Sequence, residues 1–557
     1  MLHRVAVLAD AHFHDTTGDF GLVIEGANRA MRSWADTRTA ARAFNESAGA
    51  LTAALEKIAA AGVRHVVLAG DYSDDGQVEN VRRLVAVLDR FEARHGLRFY
   101  AIPGNHDLYG PHGKHVTSPY VSAPGETVTV SSDPIYVSDH PAILSPAMRC
   151  AGQPEALLPI ARFGLFRQPD YLHWETPFSA SDQIESRMYR AQSADGSVTQ
   201  TLMDASYLVE PEPGLWLLML DANVFEPCGG RHDATRKKAF LGPSDAGWNA
   251  LLRVKPFLLA WITDVTSRAR ALGKTLLTVS HYPVLDPFQD AAQSEHALFG
   301  PTSNTRRTPG PEVAQALIAA GLRWHIGGHM HVNATNHLVT EAGALTDISM
   351  PSLVAFPPAF KIIQADAKTA TAQTITLNEL PPDPKISALY QAEGRQGPPL
   401  PFGTFLAAQR RANVTERRLQ YDWPAEIAGL LTGKDARFLL ELAGISAEDF
   451  ALRHGLAAQS LVDYPLSELI IDAYLIKVAG PLAKNWITAE RLAGYRAIAA
   501  AFGDPAADPR QGAAAFLWRF LSVLQTSLDR MQADDTAIIP AAADPSPAAP
   551  PRYPTAD

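Results

Sequence analysis

The most restrictive feature of the sequence is the set of polar residues that follow its apolar, strand-like segments. Helix-like segments separate RVAVLAD, RHVVLAGD and LRFYAIPGNHD, and the same alternation returns in GLWLLMLDAN, KTLLTVSHYP and RWHIGGHMH. This alternation predicts an α/β fold with parallel strands. The polar residues at the segment ends are Asp10, His12, Asp71, Asn105, His106, His281, His329 and His331. Ligands of open α/β sheets bind beyond the carboxyl ends of the strands, and His, Asp and Asn without thiolates suit Mn, Fe or Zn.

These residues lie in five short motifs with a fixed order. The motifs are Asp10-Ala-His12, Gly70-Asp71, Gly104-Asn105-His106-Asp107, His281 in SHYP, and Gly328-His329-Met330-His331. In this order they resemble the calcineurin-like metallophosphoesterases. The resemblance implies a two-sheet αββα sandwich over residues 1–378 and two divalent metal ions, with Mn, Fe and Zn as the candidates.

The resemblance also implies which residues hold each ion. One metal would be held by Asp10, His12, Asp71 and His331, and the other by Asp71, Asn105, His281 and His329. Asp71 would bridge both ions. In the glycine-containing motif, residues two apart in an extended segment face the same side, so His329 and His331 are expected to reach one ion each while Met330 points into the core.

The chemistry expected of such a pair of ions is phosphoester hydrolysis. Two dications offset by two carboxylates would bind phosphate and acidify a bridging water, so that hydroxide attacks phosphorus. His106 is expected to protonate the leaving oxygen, with Asp107 orienting its ring. In the alternative interpretation, His106 only shapes the turn.

The segment TAARAFNES, which lies between the first two motifs, supplies candidate substrate-binding residues. Arg42 and Asn45 are expected to face the active site, where a guanidinium would clamp a phosphoryl oxygen. The alternative is that this segment simply begins a helix, with Asn45 or Ser47 as its cap.

The remainder of the chain has a different character. Residues 385–535 have the pattern of amphipathic helices and no strand signals. Residues 536–557 have the Pro- and Ala-rich composition of a disordered tail. This layout resembles bacterial proteins related to the class III cyclic nucleotide phosphodiesterases that carry a C-terminal helical domain. The helices are expected to pack against the catalytic domain or form a homo-oligomer rather than build the substrate pocket, because no cluster of polar or aromatic residues there resembles a recognition site.

Composition narrows the class of partner. A net charge of -10 and a pI near 6.0 argue against binding of long nucleic acid. The most apolar C-terminal segment, LSELIIDAYLIKVAG, contains three charged residues, so membrane binding is not expected. The apolar run in MLHRVAVLAD is too short for a secretory signal, which favours a cytoplasmic location.

Three functions are consistent with these observations. The first is hydrolysis of a small phosphodiester such as a cyclic nucleotide, and the second is hydrolysis of a phosphomonoester such as a nucleotide or sugar phosphate. The third is a non-catalytic binding module that retains the fold. The intact set of candidate ligands, together with His106, argues against the third function.

Overall fold

The computed structural model describes most of the chain with its secondary structure and side-chain contacts. The residues described are 1–136, 142–289, 291–431, 433–442, 444–457, 461, 465–502, 512–531 and 536–539.

The strands occur mainly in the first 376 residues. Up to residue 203 they are β1 (His3–Leu8), β2 (Val23–Ile24), β3 (Ala27–Asn28), β4 (His65–Ala69), β5 (Arg98–Ile102), β6 (Thr117–Ala123), β7 (Glu126–Ser131), β8 (Ala142–Leu144), β9 (His173–Glu175), β10 (Met188–Gln192) and β11 (Thr199–Met203). The later strands are β12 (Tyr207–Glu212), β13 (Leu215–Leu220), β14 (Thr275–Ser280), β15 (Trp324–Gly327), β16 (Ala334–Thr340), β17 (Gly343–Ser349), β18 (Ala359–Ala365), β19 (Ala370–Thr376) and β20 (Thr536–Ile539).

Two large mixed sheets position the polar residues predicted from the sequence. The first has the order β20-β19-β18-β1-β4-β5, and the second has the order β16-β17-β15-β14-β13-β12-β9. In the first sheet β1, β4 and β5 are parallel, and in the second β13, β14, β15 and β17 are parallel. The mixed α/β fold class predicted from the sequence is therefore confirmed.

Helices accompany the strands in the N-terminal part and make up most of the C-terminal part. The first group is α1 (Trp34–Arg38), α2 (Ser47–Ala60), α3 (Val78–His95), α4 (Pro243–Val254), α5 (Pro256–Ala271), α6 (Ala291–Phe299), α7 (Ser303–Arg307) and α8 (Pro311–Ala319). The second group is α9 (Pro384–Ala392), α10 (Phe402–Asn413), α11 (Leu419–Tyr421), α12 (Ala425–Leu431), α13 (Arg437–Leu442), α14 (Ala447–His454), α15 (Leu466–Ala479), α16 (Ala489–Phe502) and α17 (Gly512–Arg530). Short 3₁₀-helices cover Pro146–Met148, Glu155–Ile160, Ile184–Arg187, Lys237–Ala239 and Gly480–Asn485, and Val414–Arg418 is a π-helix.

Amphipathic spacing explains how α3 attaches to the sheet. Its buried side chains include Val81, Leu84, Leu88 and Phe91, which recur every three or four residues along one face. Gly96 ends the helix in the left-handed conformation, with φ 68°, as is common for a glycine after a helix. The chain then enters β5 at Arg98, so the polar residues after β5 are placed at the same edge as those after β4.

The C-terminal helices are attached to the N-terminal part by several polar contacts. Gln409 of α10 donates from its side-chain amide to the Thr37 carbonyl (2.7 Å) and to the Arg42 carbonyl (3.1 Å). Lys477 of α15 pairs with Glu295 of α6. Among the described residues, no helix is long and apolar enough to cross a membrane.

The chain returns to the first sheet after the helices. Residues 536–539 form β20, which pairs antiparallel with β19, whereas sequence analysis expects a disordered tail from residue 536. The tetrapeptide TAII contains three β-branched residues, which favour strands, and the Pro- and Ala-rich composition that follows conceals this signal. The rest of the expected tail, 540–557, lies outside the described residues.

Candidate metal centre

The two sheets bring all seven predicted metal ligands into one region. Asp10 and His12 follow β1, Asp71 follows β4, and Asn105 follows β5 in the first sheet. In the second sheet His281 follows β14, and the pair His329 and His331 follows β15. Most of these side chains are buried, with 0% exposure at Asp10 and His281 and 2% at Asp71. Buried carboxylates and imidazoles that face one another need a compensating partner.

The first group of donors consists of Asp10, His12 and His331, whose ligand atoms all lie within 4.8 Å of one another. The Nε2 atoms of His12 and His331 are 3.3 Å apart, and His331 Nε2 lies 3.2 Å from Asp10 Oδ1. Two imidazole nitrogens and a carboxylate oxygen that converge in this way form a metal-binding arrangement.

The second group is formed by Asp71, His281 and His329. His281 Nε2 lies 3.3 Å from Asp71 Oδ2 and 3.2 Å from Asn105 Oδ1. The same Asp71 oxygen is 4.0 Å from His12 Nε2 in the first group. Asp71 therefore lies between the two groups, at the position expected of a bridging carboxylate.

The backbone at these residues is unusual. Asp10, His12, Asp71, His329 and His331 all have positive φ, between 40° and 68°. Non-glycine residues rarely adopt this conformation, and such strain is concentrated at functional sites. The expectation that His329 and His331 lie on an extended segment is therefore wrong. Left-handed turns, rather than the alternation of a strand, direct one imidazole to each group.

Two glycines allow close approach of the backbone to the carboxylates. A Cβ on Gly104 would lie 2.3 Å from Asp71 Oδ1, and a Cβ on Gly328 would lie 2.5 Å from Asp10 Oδ2. These approaches let main-chain amides bond the carboxylates: His106 N donates to Asp71 (2.7 Å) and His329 N donates to Asp10 (3.0 Å). The carboxylates are thereby fixed in orientation.

Hydrogen bonds and burial prepare the imidazoles for metal binding. His281 Nδ1 is 3.0 Å from the Ala69 carbonyl, and His329 Nε2 is 3.0 Å from the Ser244 carbonyl. Donation at these positions leaves the other ring nitrogen to face the site, as is usual for metal-binding histidines.

Electrostatics around the imidazoles is consistent with the same role. Burial, followed by the charge of Arg42, holds the pKa of His12 well below its usual range, and burial with His281 does the same for His329. Both rings are therefore neutral, which is the form that binds metals. Burial lowers the pKa of His281, but the adjacent Asp71 more than offsets this and raises it to about 9. His281 Nε2 faces Asp71 Oδ2 and Asn105 Oδ1, where a metal ion would bind, so the residues present fit a pair of divalent ions.

His106 is oriented by a residue that sequence analysis did not identify. Its Nδ1 lies 2.6 Å from Asp75 Oδ1. Asp107, which was expected to orient His106, instead accepts from Ser73 N and Oγ (both 2.9 Å) and from Gly104 N (2.8 Å). Asp107 is 1% exposed, and burial, followed by the charge of Asp71, raises its pKa to about 7. Asp107 therefore holds the turn together, and the role predicted for it belongs to Asp75.

The two predicted substrate-binding residues have different environments. Arg42 lines the cavity at the metal centre, and its Nη2 donates to Asp74 (2.5 Å). Asn45 is 3% exposed and bonds the Arg32 backbone and the Tyr390 hydroxyl. Asn45 therefore joins α9 to the N-terminal part and does not face the substrate. It does not cap α2 either, because the N-cap residue is Glu46, whose side chain makes no capping bond.

The cavity at the metal centre has a volume of about 240 Å³, and one wall of it is helical. α10 contributes Leu406, Gln409 and Arg410, and α15 contributes Tyr474, Lys477 and Val478. Each set has the i, i+3, i+4 spacing of a single helix face. The helices therefore pack against the N-terminal part, as expected, and they also form part of the cavity wall, which was not the favoured expectation. Met330 is half-buried and packs against the core, as expected, and it also lines the cavity.

Comparison with known proteins gives a family match to part of the chain and weak similarities to solved structures, two of which are given below. Residues 3–140 match the calcineurin-like phosphoesterase family model. A dimetal phosphatase from Danio rerio is 15% identical, with a TM-score of 0.39, and the match covers 67% of this chain and 96% of that one. Phosphopantetheinyl hydrolase from Mycobacterium tuberculosis is 12% identical, with a TM-score of 0.23, and the match covers 62% and 89% respectively. Neither supports a residue-by-residue correspondence.

The matched family region ends before the last two motifs. It contains Asp10, His12, Asp71 and Asn105, whereas the three later histidines join them only through the fold. A search of curated proteins finds no match. The N-terminal quarter of this chain is therefore similar to the calcineurin-like phosphoesterases, and His281, His329 and His331, which lie outside the matched region, are brought next to its polar residues by the fold.

Proposed function

We propose that this protein is a metal-dependent phosphoester hydrolase that acts on a small phosphodiester, for which a cyclic nucleotide is one example. The observation that carries the proposal is the position of Asp71 between two groups of aspartate and histidine side chains in a buried site. Phosphoester hydrolysis is the reaction typical of the family that residues 3–140 resemble.

The residues that would hold the ions are the seven predicted ones. Asp10, His12 and His331 would hold one ion, while Asn105, His281 and His329 would hold the other, with Asp71 shared. When bound, two such dications supply Lewis acidity and lower the pKa of a bound water toward neutrality.

The chain's own residues would do the remaining work. The His106 ring is directed by Asp75 and lines the cavity. Burial lowers the pKa of His106, but Asp71 and Asp75 more than offset this, so the pKa is raised overall. A protonated imidazole at this position would donate its proton to the leaving oxygen. Arg42, held by Asp74, would bind phosphoryl oxygens.

The cavity favours a small substrate. A volume of about 240 Å³ is just below the range of roughly 300–1,000 Å³ found for small-molecule pockets, and helices cover one side. The cavity continues from the metal ligands to α10 and α15, which leaves room for a second ester substituent. A phosphomonoester of a nucleotide or sugar remains the alternative substrate, because the same donors serve both reactions.

Two chromogenic esters distinguish these substrate classes. Protein loaded with Mn²⁺ would be assayed with bis(p-nitrophenyl) phosphate and with p-nitrophenyl phosphate, and kcat/KM compared. We expect faster hydrolysis of the diester, with loss of activity on removal of metal by chelation and recovery on its return. Faster hydrolysis of the monoester would replace the diester proposal, and no metal-dependent hydrolysis of either ester would contradict the proposed function.

A further inference from the structure

α10 and α15 form one wall of the cavity, and this wall carries positively charged side chains that are not among the proposed metal ligands. Among the described lining residues the cationic side chains are Arg42, Arg307, Arg410, Arg418 and Lys477, whereas Asp71 is the one acidic side chain. Such a lining attracts anions beyond the reacting phosphate.

Most of these charges are shared with a nearby carboxylate. Arg42 pairs with Asp74, Arg307 with Asp245 (3.4 Å) and Arg418 with Asp422 (2.7 Å), while Lys477 pairs with Glu295. These pairs reduce the positive potential in the cavity, and Arg410 is the remaining cation among the described lining residues.

Arg410 has no such partner within the described part of the chain. Its Nε is buried without a hydrogen-bond acceptor, and Glu295, the carboxylate whose charge acts on it, is already paired with Lys477. The Tyr474 ring is 6.0 Å from its Cζ, at the outer limit of a cation–π contact. The next residue shows the ordinary arrangement, since Arg411 pairs with Glu468 and Asp472. A half-buried guanidinium without a counter-ion is costly to maintain, which points to an anionic ligand.

A π-helix that follows α10 brings a second cationic side chain, Arg418, to the same side as Arg410. An α-helix turns by about 100° per residue, so eight residues would place Arg418 about 80° around the axis from Arg410. The π-helix Val414–Arg418 adds about one residue to this stretch, which reduces the difference to about 20°. Both guanidinium groups thus face the cavity. Burial, followed by the charge of Arg418, lowers the pKa of Arg410 to about 10.

The position of Arg410 relative to the metal centre is fixed by its neighbour. Gln409 donates a hydrogen bond to the Arg42 carbonyl. α10 is therefore attached directly to the residue that is proposed to bind the reacting phosphate. One molecule within this cavity can therefore contact both the metal ligands and the α10 wall.

We infer that Arg410, flanked by Arg418 and Lys477, forms a second anion-binding subsite, and that the substrate carries a second phosphate or carboxylate besides the ester that is hydrolysed. The inference rests on the proposed function and narrows its substrate class. A guanidinium binds either anion through two parallel hydrogen bonds. A cyclic nucleotide without a further anionic group would leave this subsite unused.

The test compares ligands with one and two anionic ends. Alkane-α,ω-bisphosphonates of increasing length and n-alkylphosphonates of the same lengths would be titrated into Mn²⁺-loaded protein by calorimetry. At the matching length we expect the bisphosphonate to bind about 10- to 100-fold more tightly, which is the value of one or two charge-assisted hydrogen bonds. Arg410→Met should bring the ratio of the two affinities close to one, and Arg410→Lys should restore part of it.

A matched control and a stability measurement separate binding from folding. Arg417→Met removes an exposed charge from the same π-helix and should leave the affinity ratio unchanged. Arg410→Met should keep or raise the thermal midpoint, because it removes an uncompensated charge. A lower midpoint would overturn the inference by making Arg410 a structural residue, and so would an affinity ratio near one at every length in the wild-type protein.

Binding and hydrolysis can fail separately. Metal content and hydrolysis of the chromogenic diester would be measured on the same samples. A retained affinity ratio without hydrolysis would support the subsite and contradict the proposed reaction, whereas hydrolysis without the ratio would overturn the subsite alone.

Discussion

His106 Nδ1 lies 2.6 Å from Asp75 Oδ1, at the edge of a cavity that also contains His12 and Asp71. This contact fixes which ring nitrogen remains available, since Nδ1 is engaged and Nε2 is left for a ligand. The contact also holds the pKa of Asp75 below its usual range: burial raises it, but the hydrogen bond and charge of His106 more than compensate. Asp75 is therefore a positioning residue for His106.

The first prediction concerns this pair. His106→Ala should keep its metal and lower kcat by about 10²–10⁴-fold, the usual contribution of a positioned proton donor. Asp75→Asn should lower kcat by about 10–100-fold, as loss of an orienting partner does, but should have little further effect when His106 is already alanine. The measurement is kcat for esters with good and poor leaving groups. Additive losses in the double variant would show that the two residues act independently.

The second prediction concerns the shared carboxylate. Asp71→Ala should lose most of both metal ions, because each group of donors loses a carboxylate whose oxygen lies between them. Elemental analysis of the purified variant measures the loss. Asp89→Ala removes an exposed carboxylate from α3 and serves as the control. Full metal content in Asp71→Ala would exclude the bridging role.

The order of polar residues along the sequence predicts which side chains lie together in the structure, and it does so for a physical reason. The carboxyl ends of parallel strands lie at one edge of a sheet, so side chains that follow β1, β4 and β5 must converge. The left-handed backbone at His329 and His331 is not visible in the sequence, because it is stabilised by contacts such as that from His329 N to Asp10. Sequence periodicity describes strands but not the turns that follow them.

Residues whose roles depend on distant contacts were beyond sequence analysis. Asn45 bonds Tyr390, which is 345 residues away, and no local pattern indicates that α9 would reach it. Asp74 and Asp75 are adjacent, and only the structure shows that the first pairs with Arg42 and the second with His106. The α10 and α15 faces have ordinary helical spacing, so their position at the cavity could not be read from composition.

The third prediction tests how α10 holds the Arg42 segment. Gln409→Met should lower stability by about 1–3 kcal/mol, because the buried Thr37 carbonyl and the partly buried Arg42 carbonyl lose their donor. It should also raise KM more than it lowers kcat, since the metal ligands lie elsewhere. Steady-state kinetics and denaturant unfolding measure both effects. Gln420→Met, at an exposed position just beyond the π-helix, should change neither value, and an unchanged KM in Gln409→Met would mean that α10 does not position Arg42.

The fourth prediction concerns Glu46, the residue before α2. Its Oε2 has no hydrogen-bond partner among the described residues, and burial raises its pKa from 4.5 to about 7. Between these pH values the folded protein keeps a proton that the unfolded chain has released, so stability falls as the pH rises through this range. Glu46→Gln should therefore leave stability unchanged near pH 4 and increase the free energy of unfolding at pH 8 by up to about 3 kcal/mol. Urea unfolding at both pH values measures this difference. Glu56→Gln makes the same change in charge at an exposed position of α2 and should show no such pH dependence; an equal effect of Glu46→Gln at both pH values would show that its carboxyl does not titrate with folding.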